Sequence, residues 1–213
     1  MEKLLEGDGG RKLKDHAYGK WHACIELAYS YEDYLLDDEA ALIWLKKAQE
    51  QIEKVGEDAD DADLKNTYYN LMECYYRLGN LKQAKHYGEL YKGVIAKKYE
   101  ECSTLGKDFE ELHGKACGNE RRNLYHLFCA SYYCGEHEKA RQIVEQMEGS
   151  GWCWNCSRKD CTELWECKAF LALLDGDKQE AYRLFQRSVE CAPWGNDTGE
   201  REIRRLIKEG IIL

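Results

Sequence analysis

The chain of 213 residues has a single proline, Pro193. Proline breaks or kinks helices, so its near absence leaves long helical stretches unopposed. Glycine falls largely between helical patterns rather than inside them, which points the same way. No run of apolar residues approaches the ~18 needed to cross a bilayer. The opening residues, MEKLLEGDGGRKLKDHAY, lack the apolar stretch of a secretory leader. The expected compartment is therefore the cytoplasm, where thiols stay reduced. Basic residues are in deficit: 31 Lys and Arg face 40 Asp and Glu, for a net charge of −9. Nucleic-acid affinity rests on cationic contacts to phosphates, so no nucleic-acid partner is expected, and no membrane. A hydrophobic share of 44% excludes a disordered chain.

The stretch from Thr162 to Pro193 organises what is present. Trp165, Ala169 and Ala172 recur at helical spacing before an Asp175-Gly176-Asp177 turn. Ala181, Phe185, Ser188 and Val189 recur in the same way after it. Gly176 offers the positive φ that ends the first helix, and Pro193 stops the second. Three further stretches share the pattern. One reads Tyr68-x2-Leu71-Met72-x2-Tyr75, then Gly79, then Ala84. Another reads Leu124-x2-Leu127-Phe128-x2-Ser131, then Gly135, then Ala140-x3-Val144. The earliest reads Cys24-x2-Leu27-Ala28-x2-Tyr31, then Ala40-x3-Trp44, without the turn glycine. A small residue on the second helix lets the two helices approach closely, and a larger one a turn later fills the gap.

Trp165, Ala169, Ala181, Phe185 and Pro193 stand at the spacing of the tetratricopeptide repeat (TPR), and the chain resembles that family from about Trp21 to Pro193. The resemblance implies an all-α protein: a right-handed α-solenoid of about four helix-turn-helix units in one domain, 1–213. The units are expected at about 13–55, 62–101, 119–148 and 161–193, with a capping helix at 200–209. Residues 1–11 are expected to be loose. Units starting at Trp21, Lys65, Arg121 and Thr162 are longer than the family's ~34 residues. The surplus is assigned to longer helices and to an insertion, Glu100 to Asn119. The final Ile211-Ile212-Leu213 is expected to pack under the cap.

Eleven cysteines is many for a chain expected to stay reduced. Cys153-x2-Cys156-x4-Cys161 gathers three thiols in a loop of turn-forming residues. Two thiolates in a C-x2-C knuckle can share one ion, and zinc selects sulfur in tetrahedral geometry. A structural zinc is the expected cofactor, against separate buried thiols or a redox pair. In a TPR array the starts of first helices and the ends of second helices share an edge. The resemblance thus makes Cys117 and Cys191 the foremost fourth ligands. Cys167 ranks behind them, because the helix carries it ~9 Å onward and ~120° around from Cys161. A three-thiolate site completed by water or His113 is the remaining option.

First helices of TPR proteins line a peptide-binding groove. By that resemblance the inward positions are Tyr29, then Asn66, Tyr69, Asn70, Glu73 and Tyr76. They continue with Arg122, Tyr125, His126, Cys129 and Tyr132, then Glu166 and Phe170. Tyrosine combines an apolar body with a polar tip, asparagine can pair with a peptide's amides, and arginine with a carboxylate. The residues taken as peptide-binding are Tyr29, Asn66, Tyr69, Asn70, Tyr76, Arg122, Tyr125, His126 and Tyr132. His126 and Cys129 share a helix face but have no third group to orient them, so no catalysis is expected. The reading is a non-catalytic scaffold for a protein or peptide partner. The alternatives are the sensor domain of a peptide-responsive regulator, and a zinc or thiol enzyme.

Overall fold

The structure is a computed structural model describing residues 8–96, 119–149, 161–192 and 195–210, with side chains outside the description at 8–14 and 119–122. Among the described residues every regular element is helical and no strand occurs. The order is α1 (Asp8–Tyr29), a π-helical segment (Ser30–Leu35), α2 (Asp38–Val55), a 3-10 turn (Gly56–Asp58) and α3 (Asp61–Arg77). Residues 81–96 form α4. Then come α5 (Asn119–Tyr133), α6 (His137–Gly149), α7 (Thr162–Leu174), α8 (Lys178–Cys191) and α9 (Asp197–Lys208).

The chain divides into two compact units, Met1–Val94 and Ile95–Leu213. In the first, α1 packs on α2 and α2 on α3. In the second, α5 packs on α6 and α7, α7 on α6 and α8, and α8 on α9. The expected loose start at 1–11 is corrected from Asp8 onward, where α1 begins, and residues 1–7 lie outside the described residues. The cap helix likewise begins earlier than expected, at Asp197. The Glu100 to Asn119 insertion, except for Asn119 at the start of α5, and the Ile211 to Leu213 tail lie outside the described residues.

One local geometry recurs at three hairpins. Gly79, Gly135 and Gly176 have φ of 74°, 74° and 78°. Their N–H groups donate to Tyr76, Tyr132 and Leu173 carbonyls. The next N–H groups, of Asn80, Glu136 and Asp177, reach back to Tyr75, Ser131 and Ala172. Carbonyls left open at a helix end are satisfied by these bonds, and a left-handed residue makes the turn possible. The residue after the glycine begins the next helix. Asp177 caps α8 by accepting from Glu180 N at 2.9 Å, and Asn80 accepts from Gln83 N at 3.2 Å.

The second helices are in register with these turns. Five residues after the glycine stand Ala84, Ala140 and Ala181, each with no exposed surface. Nine residues after it stand Gly88, Val144 and Phe185, and twelve after it Tyr91, Met147 and Ser188, all buried. The alanine and its successors form the stripe that meets the first helix of the hairpin.

The first hairpin joins the register through a residue the sequence pattern did not single out. Leu36 has φ 52°, the one positive value among the described non-glycine residues. Five, nine and twelve residues on lie Ala41, Leu45 and Ala48, all fully buried. The expected Ala40-x3-Trp44 pattern is therefore one residue out of step. Ala40 and Trp44 are both only half-buried, with the Lys47 ammonium 3.9 Å from the Trp44 ring. The cause lies in α1. Ala28 is fully buried, as are Met72, Phe128 and Ala169 seven residues before their glycines. Ala28 stands eight residues before Leu36. The extra residue is taken up by the π-helical turn Ser30–Leu35, where Asp37 N bonds Tyr31 O at 3.0 Å. Absorbing one inserted residue without breaking the helix is what a π-turn does.

Candidate functional site

In the first unit, side chains of α1 and α3 are tied at three levels. Tyr18 Oη donates to Asp63 at 3.0 Å, and Trp21 Nε1 to Thr67 Oγ1 at 2.9 Å. One level on, Tyr29 Oη donates to Asn66 Oδ1 at 2.8 Å. Asn70 Nδ2 donates to Asn66 Oδ1 at 2.7 Å and Asn66 O at 2.9 Å, and reaches Tyr29 Oη at 3.3 Å. The structure thus brings Tyr29, Asn66 and Asn70 together as one cluster. Asn70 is its buried member, 3% exposed, and its amide nitrogen holds the other two. Tyr29 and Asn66 are half-buried, and burial pushes the Tyr29 phenol above its ordinary range. Tyr69 and Tyr76 are also half-buried on α3, with the Tyr69 ring 5.6 Å from that of Tyr91.

Below this cluster lies an ionic one. Arg77 Nε pairs with Asp38 at 2.8 Å, Nη1 with Glu73 at 2.8 Å, and Nη2 with Glu32. One guanidinium thus faces three carboxylates, of which Glu32 and Glu73 are essentially buried. The π-turn brings Glu32 inward, the start of α2 supplies Asp38, and α3 supplies Glu73 and Arg77. Ligand atoms of Glu32, Asp38 and Cys74 lie within 4.8 Å of one another, the one such group found among the described residues. The group is a poor metal site. Arg77 already supplies the positive charge to both carboxylates, and Cys74 Sγ donates to Asp38 O at 3.2 Å. Burial holds the Cys74 thiol far above its ordinary range, against the thiolate a metal needs.

In the second unit the polar centre is Glu166 on α7, 3% exposed. Tyr125 on α5 donates its hydroxyl to Glu166 Oε1. Asn196, ahead of α9, and Arg201 of α9 also favour the anion of this carboxyl. Burial outweighs these partners and raises the Glu166 carboxyl to about 7. His126 is half-buried, its ring 5.8 Å from that of Tyr125. Tyr132 is elsewhere: it is buried in an aromatic core with Phe128, Tyr133 and Phe170, at ring separations of 5.8, 5.2 and 5.0 Å. Phe170 in turn packs edge-on to Phe185 at 5.1 Å. The Arg122 side chain lies outside the described residues.

Of the thiols taken as zinc ligands, Cys117, Cys153 and Cys156 lie outside the described residues, as does His113. Cys161 directly precedes α7 and is 3% exposed, packed on Leu164. Cys191 ends α8 and is half-buried. Cys167 is a fully buried core thiol near Cys129, raised by burial well above the ordinary thiol range.

Sequence reasoning passed over Glu32, Asp38, Arg77, Asn196 and Arg201. For Asn196 a signal existed, because an asparagine before Asp-Thr-Gly-Glu is a strong helix-capping residue, and its Oδ1 accepts from Gly199 N at 2.9 Å. For Arg77 the signal was partial, since Glu73 stands one turn before it on α3 while Glu32 and Asp38 come from two other elements. Among the described residues no helix is long and apolar enough to cross a membrane. Comparison with protein families, with curated proteins and with solved structures finds no match to this chain.

Proposed function

We propose that the chain is a non-catalytic helical-repeat scaffold, similar in build to TPR proteins, that binds a peptide segment of a partner protein. One observation carries the reading. Four helical hairpins share one register of left-handed turn and buried small residue. Within each unit, hairpins built alike present equivalent faces of their first helices, which is how repeat proteins make binding surfaces. On those helices Asn66, Tyr69 and Tyr76 of one unit and Tyr125 and His126 of the other stay half-exposed. Phenol rings can cover apolar peptide side chains at low entropy cost, and their hydroxyls can pair with amides. Arg122 is the cation assigned to an acidic peptide group. The protein acts in the cytoplasm. A structural zinc held by Cys153, Cys156 and Cys161, with Cys117 or Cys191 as fourth ligand, staples the segment before α7.

The test is a peptide-display selection on the full chain, followed by titration of the selected peptides. Tyr69→Ala and Tyr76→Ala should each weaken binding at least about tenfold, an effect of ~1.4 kcal/mol, with helix content unchanged. Selection of no peptide above an unrelated control, or full affinity in both variants, would remove the reading.

A further inference from the structure

We propose that the tip of the first hairpin, where α1 passes into α2, is a docking surface for a cationic segment of a partner protein that carries apolar anchor side chains. Tyr34 is 76% exposed and Leu35 61%, at the two places just before the left-handed residue Leu36. The other three tips hold Arg77 and Leu78, Tyr133 and Cys134, and Leu174 and Asp175 at those places. Tyr133 and Cys134 are buried, Leu174 is half-buried, and Arg77 and Asp175 are charged. Among the described tips, only the first therefore turns two neighbouring apolar side chains to water. Ile43, also exposed, stands one turn after exposed Glu39 on the same face of α2. Exposed apolar side chains grouped within a polar rim mark a surface of association.

Charge names the occupant. From Ser30 to Leu45 the chain has five carboxylates and no lysine or arginine. Shortly after the left-handed residue the other tips carry exposed Lys82, Lys139 and Lys178, where the first carries Asp37, Asp38 and Glu39. Asp37 and Glu39 are exposed, and Asp33 is half-buried beside Tyr34 in the chain. Such a rim repels anionic lipid and nucleic acid and draws in lysine and arginine, while the apolar side chains supply the contact area. The surface is also held in shape before anything binds. Arg77 grips Glu32 in the π-turn and Asp38 at the start of α2, one on each side of the tip. Asp37 N closes the turn on Tyr31 O at 3.0 Å. A surface fixed in advance loses little freedom on binding. The turn is costly to hold, because Leu36 keeps a φ of 52° where the other three tips use glycine, and strain of this kind gathers at functional positions. None of the groove residues Asn66, Tyr69, Tyr76, Tyr125 and His126 belongs to this tip, so the two surfaces stand or fall separately.

A random peptide library displayed on phage tests this, selected on the full chain and depleted on a Tyr34→Ser, Leu35→Ser double variant of unchanged helix content. The surviving peptides should carry net positive charge and at least one large apolar side chain. They are then titrated against variants that played no part in the selection. Ile43→Ser should weaken them about threefold or more. Asp37→Asn with Glu39→Gln, which keeps a capping side chain ahead of α2, should weaken them about threefold or more at low salt. That second effect should vanish near ~1 M salt, where exposed charges are screened. Tyr69→Ala in the groove should leave the affinities within about twofold. The docking surface is overturned if no peptide tells the wild type from the double variant, or if the survivors lack net positive charge. Full affinity in the Ile43 variant or in the charge variant would overturn it too, as would an equal loss in Tyr69→Ala. A dimer in sedimentation that the double variant dissolves would make a second copy the occupant and overturn the cationic partner.

Discussion

Replacing Arg77 by methionine should unfold much of the first unit. The guanidinium serves Glu32, Asp38 and Glu73 at once, and is itself only 10% exposed. Methionine fills similar volume but leaves three carboxylates facing one another, two of them out of contact with water. Breaking a buried ion pair from one side costs about 3–5 kcal/mol, because the abandoned charge keeps its desolvation penalty. Here more than one charge is abandoned, so the upper end is expected. A whole domain is stable by only about 5–15 kcal/mol. The loss also reaches the first hairpin, since Glu32 sits in the π-turn and Asp38 at the start of α2. Arg77→Lys keeps the charge but loses the flat fork that reaches several partners, and should cost about 1–3 kcal/mol.

The measurement is urea unfolding followed by hydrogen exchange in α3 and α8, because two units need not unfold as one transition. Arg77→Met should lower the α3 transition and leave α8 unchanged. Adding Glu32→Gln and Glu73→Gln to Arg77→Met should restore most of the loss, since neutral amides remove the mutual repulsion. The reasoning is refuted if Arg77→Met costs less than about 1 kcal/mol, or if the triple variant is no more stable than the single one.

Three further outcomes are expected. Asn70→Ala should destabilise the protein by about 1–3 kcal/mol in thermal melts, because it strips Tyr29 and Asn66 of the amide that holds them. The Glu166 carboxyl is raised to about 7 in the folded chain, so its contribution to stability is full below the ordinary carboxylate range and lost as pH rises through 7. The loss amounts to at most about 3 kcal/mol, and Glu166→Gln should flatten that part of a stability profile taken from pH 4.5 to 8. Elemental analysis of tag-free, freshly reduced protein should find about one zinc per chain, with Cys156→Ser abolishing it; metal-free protein would reject the cysteine site.

The helices and the turns were legible because they rest on local chemistry. Gly79, Gly135 and Gly176 mark left-handed residues, and the small residues five positions later mark the close approach of two helices. Leu36 hid the same turn, because nothing in a leucine announces a positive φ, and the pattern was anchored one residue early at Ala40. The π-turn that corrects the count leaves no compositional trace either. It follows only from fitting Ala28 and Ala41 to the same register as their counterparts.

The candidate site was legible to a different degree, and the reason is the range over which its bonds act. Carrying first-helix positions across by resemblance located Tyr29, Asn66, Asn70, Tyr125 and Glu166 on the right helices. It could not say which of them stay partly open to solvent and which face each other. Asn66 and Asn70 look alike in sequence, one turn apart on α3. Yet Asn70 is 3% exposed and spends its amide nitrogen on Asn66 and on Tyr29, which is 41 residues away in the chain. Tyr125 and Tyr132 also share a helix. The first reaches Glu166, while the second fills an aromatic core. In each pair the division is made by a neighbouring helix that local pattern does not see. A buried polar group must find a partner or be excluded from the core, so the networks around Asn70, Arg77 and Glu166 constrain which helix lies beside which. That makes them the places where one substitution most sharply tests the packing: Arg77→Met and Asn70→Ala probe how α3 is held in the first unit, and Glu166→Gln how α5 meets α7 in the second.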